Sequence, residues 1–127
     1  MSFAPGDILA LDSPVAGHKK YHLCLGENEH GVIICLFFNS EAGFLDNQPF
    51  DCARFPMLPA SGTGLTVAAY SLLPKYNPRQ LSIFKAVKLG EIDKTVAAEM
   101  LAFASGIKSL SRPDKAYVLA QLAYICA

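Results

Sequence analysis

Val32-Ile33-Ile34-Cys35-Leu36-Phe37-Phe38 is apolar at every position and is bounded by Gly31 and Asn39. A run of this length, rich in β-branched and aromatic residues and too short for an ordinary helix, reads as a strand with both faces covered. It belongs at the centre of a sheet. On its upstream side, Glu27 to Gly31 is polar and ends in glycine, the composition of a hairpin connection. That connection leads back to Tyr21-His22-Leu23-Cys24-Leu25, a strand ended by Gly26. Before it, Ser13-Pro14-Val15-Ala16-Gly17 reads as a loop, and Asp7-Ile8-Leu9-Ala10-Leu11 as a short first strand behind the Pro5-Gly6 turn.

Downstream of the central run, Asn39 to Pro49 mixes Asn, Ser, Gly, Asp and Pro without a sustained period and reads as a loop. Phe50-Asp51-Cys52-Ala53 reads as a brief edge strand, and Arg54 to Pro59 is too broken by proline for a long element. Ser61-Gly62-Thr63-Gly64 is a glycine-rich turn. It lacks the lysine and helix start of a phosphate loop. Leu65 to Leu73 and Leu81 to Lys88 are the last strand candidates, separated by Pro74-Lys75-Tyr76-Asn77-Pro78-Arg79. Short strands in succession, with no helical segment between them, predict a small barrel over residues 6–90 rather than a parallel sheet.

The period then changes. Asp93 has the character of an N-cap, and Val96, Met100, Phe103 and Ile107 recur on one helical face, with Gly106 at the C-terminal end. Ser111-Arg112-Pro113-Asp114 is a second helix start. Helices are expected near 94–105 and 112–125, within a C-terminal helical segment 93–126. The expected fold class is α+β, mainly β, in one domain covering 1–127.

Composition narrows the functional classes. Hydrophobic residues make up 52% and charged residues 17%, so disorder is excluded and a covered core is expected. The formal net charge is zero, which counts against extended duplex binding and leaves room for a local basic pocket. The N-terminus has neither the basic nor the apolar region of a signal peptide. The apolar stretch Ala116 to Ala127 is shorter than the roughly 20 residues a membrane span takes. A cytoplasmic protein without membrane attachment is expected. Cys24, Cys35, Cys52 and Cys126 contain no CxxC pair and read as reduced, mostly buried thiols.

Gly17-His18-Lys19-Lys20-Tyr21-His22 places two imidazoles, two ammonium groups and a phenol where a loop enters a strand. Imidazole titrates near neutrality, so the cluster has the makings of an anionic pocket with proton-transfer capacity. A solvated strand start is the plain alternative. His18 and His22 have the spacing of metal ligands only on a helix, which Pro14 and Gly17 disfavour, so no metal or cofactor is expected. Phe38-Asn39-Ser40-Glu41 presents a hydroxyl at the end of the buried strand, or simply turns the chain. Lys75 to Lys88 carries Lys75, Arg79, Lys85 and Lys88 without an acid, interleaved with Tyr76 and Phe84. Such a mixture either binds single-stranded RNA or makes an ordinary solvated hairpin.

In their order these pieces resemble the MazF/PemK toxin class. The matching pieces are the opening Gly6-Asp7-Ile8, the basic dipeptide strand Lys19-Lys20-Tyr21-His22-Leu23-Cys24-Leu25, the hydroxyl after the third strand in Phe38-Asn39-Ser40, and the late Lys88-to-Ile92 stretch leading into a helix. The resemblance covers most of residues 6–107. It implies an SH3-like barrel and a metal-independent endoribonuclease of a toxin–antitoxin system, in which the RNA 2′-hydroxyl attacks the adjacent phosphate. Placed by position, Lys20 would supply the cation, His22 or His18 the proton transfer, and Ser40 a hydrogen bond to phosphate. His18, Lys19, Asn39, Lys75 and Arg79 would contact the RNA. Where the class carries an arginine before a proline, this chain has Lys20-Tyr21-His22, and no arginine precedes Arg54. A catalytically inactive barrel that binds protein or nucleic acid is the rival reading, and a thiol- or metal-dependent regulator a third. The class also implies a small acidic antitoxin partner. A homodimer is expected on area as well, because the final helix has few polar positions to set against Leu119, Leu122 and Ile125.

Overall fold

The computed structural model describes residues 2–13, 17–43 and 45–127. Its elements are β1 (Asp7–Asp12), β2 (Lys19–Glu27), β3 (Ile33–Asn39), β4 (Asn47–Asp51), a 3-10 turn (Cys52–Arg54), β5 (Leu65–Ala69), β6 (Lys75–Tyr76), α1 (Pro78–Ile83), β7 (Val87–Glu91), α2 (Lys94–Ala104) and α3 (Arg112–Cys126). The strands form one antiparallel sheet in the order β4-β5-β3-β2-β1-β7, with β6 pairing β3 beside that path. The apolar run therefore sits centrally: β3 pairs β2 along its length, β5 at one end and β6 at the other. The sheet is open, since β4 and β7 end the path and no pairing joins them among the described residues.

Alternation along the strands divides the interior in two. Ile8, Leu23, Leu25, Ile34, Leu36 and Phe38 face the larger cluster, completed by Val96 and Met100 of α2 and Val118 and Leu122 of α3. Leu9, Leu11, Cys24, Ile33 and Cys35 face the smaller one, closed by Leu81 and Ala86.

Several readings of the sequence need correction, among them the edge strand read over Phe50 to Ala53, which spans Asn47–Asp51 and gives way to the 3-10 turn at Cys52. The Asn39–Pro49 loop ends early, because Asn47-Gln48-Pro49 already pairs with β5. An edge strand tolerates Pro49 and half-exposed polar side chains, which hides it from a search for apolar alternation. The strand read over Leu65 to Leu73 stops at Ala69. The strand read over Leu81 to Lys88 begins as helix α1 and becomes strand only at Val87. Asn77 caps this helix by accepting from Gln80 N (2.8 Å), while Gln80 Oε1 accepts from Asn77 N (2.9 Å), with Pro78 in the first turn. That reciprocal cap and a preset proline φ outweigh the β-branched and aromatic character of Ile83 and Phe84. A helix thus does interrupt the strands. The loop read over Ser13 to Gly17 falls largely on residues 14–16, outside the described residues.

α3 is covered within its own chain. Val118 and Leu122 are fully buried, Ile125 is nearly so, and Leu119 is packed partly against the larger cluster. Its outward positions include Ala116, Ala120, Ala123 and Tyr124. Three of these are alanines, and Tyr124 stays 70% exposed; the areal argument for a dimer, which rests on Leu119, Leu122 and Ile125, is met by α2 and the sheet. A bulge in β2 shifts its register on β3 between Cys24 and Gly26. The Leu25 carbonyl there accepts from Gln121 Nε2 at 2.7 Å. The polar residue that interrupts the apolar helix thus satisfies a backbone group that the bulge takes out of the ladder. Gly26 makes room for it: a Cβ there would lie 2.5 Å from Gln121 Nε2 and 2.9 Å from Tyr117 Oη.

Candidate functional site

At the open end of β2 and β3 lies a cleft of about 490 Å³. It is lined by Lys19-Lys20-Tyr21, by Asn39-Ser40-Glu41 and by Leu58 to Gly62. The walls are built by different devices. Register brings the first two together, since Tyr21 is paired with Phe38 and the next positions along each strand are Lys20 and Asn39. The glycine-rich turn is held by Thr63 Oγ1, which donates to the Ser40 carbonyl at 2.5 Å. That turn is no phosphate loop. It contributes Ser61 and Gly62 to the cleft nonetheless.

Lys20 is half-buried, its Nζ 3.3 Å from Asn39 Oδ1 and 5.7 Å from the centre of the Phe37 ring. It makes no ion pair among the described residues, whereas Lys19 pairs with Asp12 (3.4 Å) and Lys88 with Asp7 (3.2 Å) and Glu91 (3.6 Å). A cation held against an amide oxygen and an aromatic face keeps its charge available to an incoming anion. His18 borders the same cleft and is exposed, with Nδ1 2.9 Å from the Lys19 carbonyl oxygen. When Nδ1–H donates to that carbonyl, Nε2 carries the lone pair and can accept a proton. Glu41, to which sequence reasoning assigns no role, adds a carboxylate to the rim.

His22 is elsewhere. It lies on the same strand face as Lys20 but is fully buried, its ring 4.9 Å from that of Phe37 and its Nε2 2.9 Å from Tyr76 Oη. No group among the described residues is placed to hydrogen bond with Nδ1, although the Lys20 backbone lies near. Burial, assisted by the Lys20 charge, pushes the imidazole down to about 4, so the ring is neutral near pH 7. It does not border the cleft. The set Lys20, His22, Ser40 is therefore brought together only in part: Lys20 and Ser40 line the cleft with His18, Lys19 and Asn39, and His22 is buried against Phe37 and Tyr76.

Lys75 and Arg79 are also separate. Lys75 pairs with Ile34 at the far end of β3, six positions from Ser40, or roughly 20 Å at ~3.3 Å per residue. Arg79 is exposed on α1. The basic stretch read as one strip is split between β6, α1 and β7. No cluster of three or more His, Cys, Asp or Glu suited to a metal occurs among the described residues, and no helix there is long and apolar enough to cross a membrane. The chain matches no protein-family model and no curated protein.

Proposed function

We propose that this chain is a divergent MazF/PemK-like protein, its open antiparallel sheet a variant of the SH3-like barrel, whose cleft binds single-stranded RNA and cuts it without a metal. The observation that carries the reading is the half-buried Lys20 ammonium, without an ion pair among the described residues, set beside Asn39 and Ser40, with an exposed imidazole lining the same cleft. A phosphate entering there meets a cation and amide and hydroxyl groups, and open solvent leaves room for unstacked bases. In the cutting step His18 Nε2 takes the proton from the 2′-hydroxyl as its oxygen attacks phosphorus. Lys20 balances the charge on the phosphorane. The 5′-oxygen leaves with a proton from water and a 2′,3′-cyclic phosphate remains.

The burial of His22 favours a second reading, an RNA-binding module that does not cut, because it removes one of the two imidazoles from the chemistry. The partners of the class, a homodimer and a small acidic antitoxin, belong to the first reading. Val87 and Leu89 on the end strand β7, exposed beside Met57, Leu58 and Pro59, give such partners an apolar surface that adjoins Lys19 and Tyr21. Fluorescence anisotropy with a labelled single-stranded RNA tests both readings. Binding that weakens with salt and is lost in Lys20→Ala supports the cleft. Binding without strand scission selects the second reading, and no binding at low salt contradicts both.

A further inference from the structure

Cys24 and Cys35 face each other across β2 and β3 as register partners. The Cys24 carbonyl accepts from Gly6 N at 2.9 Å, on the β1 side, and Cys35 N donates to the Pro74 carbonyl at 2.9 Å, on the β6 side. Both backbones turn away from the pair, which makes it non-hydrogen-bonded. In such pairs the Cα atoms lie about 4.5 Å apart with side chains on one face, inside the roughly 4.4–6.8 Å that a disulfide spans. Both thiols are free and buried among Leu9, Leu11, Ile33 and Leu81. Their cover is thin. α1 has six residues, Leu81 is its one buried side chain, and Tyr76 and Phe84 flank it half-buried. Lys85, just beyond, holds φ at 55°, a conformation that disfavours non-glycine residues. A short element with one anchoring side chain opens locally well before the fold as a whole.

The geometry points to Cys24 and Cys35 as a redox-active dithiol beneath α1, which closes to an intrachain disulfide when α1 lifts and a small-molecule disulfide of the glutathione class enters. On exposure one cysteine thiolate attacks a sulfur of the oxidant; the oxidant's S–S bond breaks and one small thiolate departs, taking up a proton. The second cysteine, as thiolate, attacks the mixed disulfide and expels the other small thiolate, which is protonated in turn. Two protein thiols are oxidised and one disulfide is reduced to two small thiols. While α1 is closed the pair is inert, since burial holds the Cys24 thiol up at about 12. Lys20, His22 and Cys24 occupy alternate positions of β2, so the bond staples the strand pair that carries Lys20 and Asn39 to the cleft.

The test uses the full chain with Cys52→Ser and Cys126→Ser, folded, incubated with oxidised glutathione, quenched by alkylation and weighed. The expected product has lost two hydrogens, retains no glutathione and reverts on reduction. Tyr76→Phe, which frees the α1 approach from His22, should speed its formation about fivefold, the factor an ordinary hydrogen bond supplies. A folded chain that keeps both thiols, while the same chain in urea forms the bond, overturns the proposal. So does a stable glutathione adduct on either cysteine, or a rate unchanged by both Tyr76→Phe and Leu81→Ala.

Discussion

His22 Nε2 lies 2.9 Å from Tyr76 Oη and ties the middle of β2 to the two-residue strand that leads into α1. The bond uses an imidazole as a structural strut, which makes it sensitive to acid. The folded pKa is depressed from 6.5 to about 4, so folding favours the neutral ring. The associated stability is fully present above pH 6.5 and is lost as the pH falls towards 4, in total about 3 kcal/mol. Urea unfolding at steps across that range should show His22→Phe losing less stability on acidification than the unaltered chain. Parallel pH profiles for the two would refute the buried, neutral histidine.

Gly26 is expected to be intolerant of any side chain. Gly26→Ala places a methyl against Gln121 Nε2 and Tyr117 Oη at a φ of 155°, which should cost about 1–3 kcal/mol. Gln121→Ala costs less by itself, through the orphaned Leu25 carbonyl. The double variant should recover part of the Gly26→Ala loss, because the closer of the two clashes goes with the amide while that with Tyr117 Oη stays. Thermal unfolding of the four chains checks this, and strictly additive losses would place the conflict elsewhere.

The split of the basic stretch gives a contrast between surfaces. Lys20→Ala should weaken RNA binding by about tenfold or more, as loss of a charge-assisted phosphate contact does. Lys75→Ala and Arg79→Ala, at the far end of β3 and on α1, should leave affinity near its starting value at the same salt. A larger loss from Lys75 or Arg79 than from Lys20 would move the RNA to the other end of the sheet.

The parts legible in the sequence are those where one local signal dominates. The unbroken apolar run puts β3 in the middle, and Asp93 and Ser111 mark the starts of α2 and α3 because a side-chain cap is a short-range device. α1 is legible too, in Asn77-Pro78-Arg79-Gln80, but the β-branched and aromatic residues after it conceal the cap. β4 is hidden by its polar edge. The cleft can be read in outline from the ends of two strands. The fate of His22 cannot. Its apolar neighbours Leu23 and Cys24 hint at burial, yet its partner Tyr76 is 54 positions away, in a stretch that reads as a surface strip. Gln121 likewise reads as an interruption, because the bulge that orphans the Leu25 carbonyl is marked only by Gly26, which reads as the end of the strand.

The most direct measurement is the incubation of the purified chain with single-stranded RNA in the presence of a chelator, with the fragment ends then identified. Scission should leave 2′,3′-cyclic phosphates. His18→Ala should slow it by about 10²-fold or more, the ordinary share of a proton-transfer group, and Ser40→Ala should slow it as well. His22→Phe, if folded, should cut near the unaltered rate. No scission of any single-stranded RNA, or scission undiminished in His18→Ala, Ser40→Ala and Lys20→Ala alike, would contradict a cutting site in this cleft.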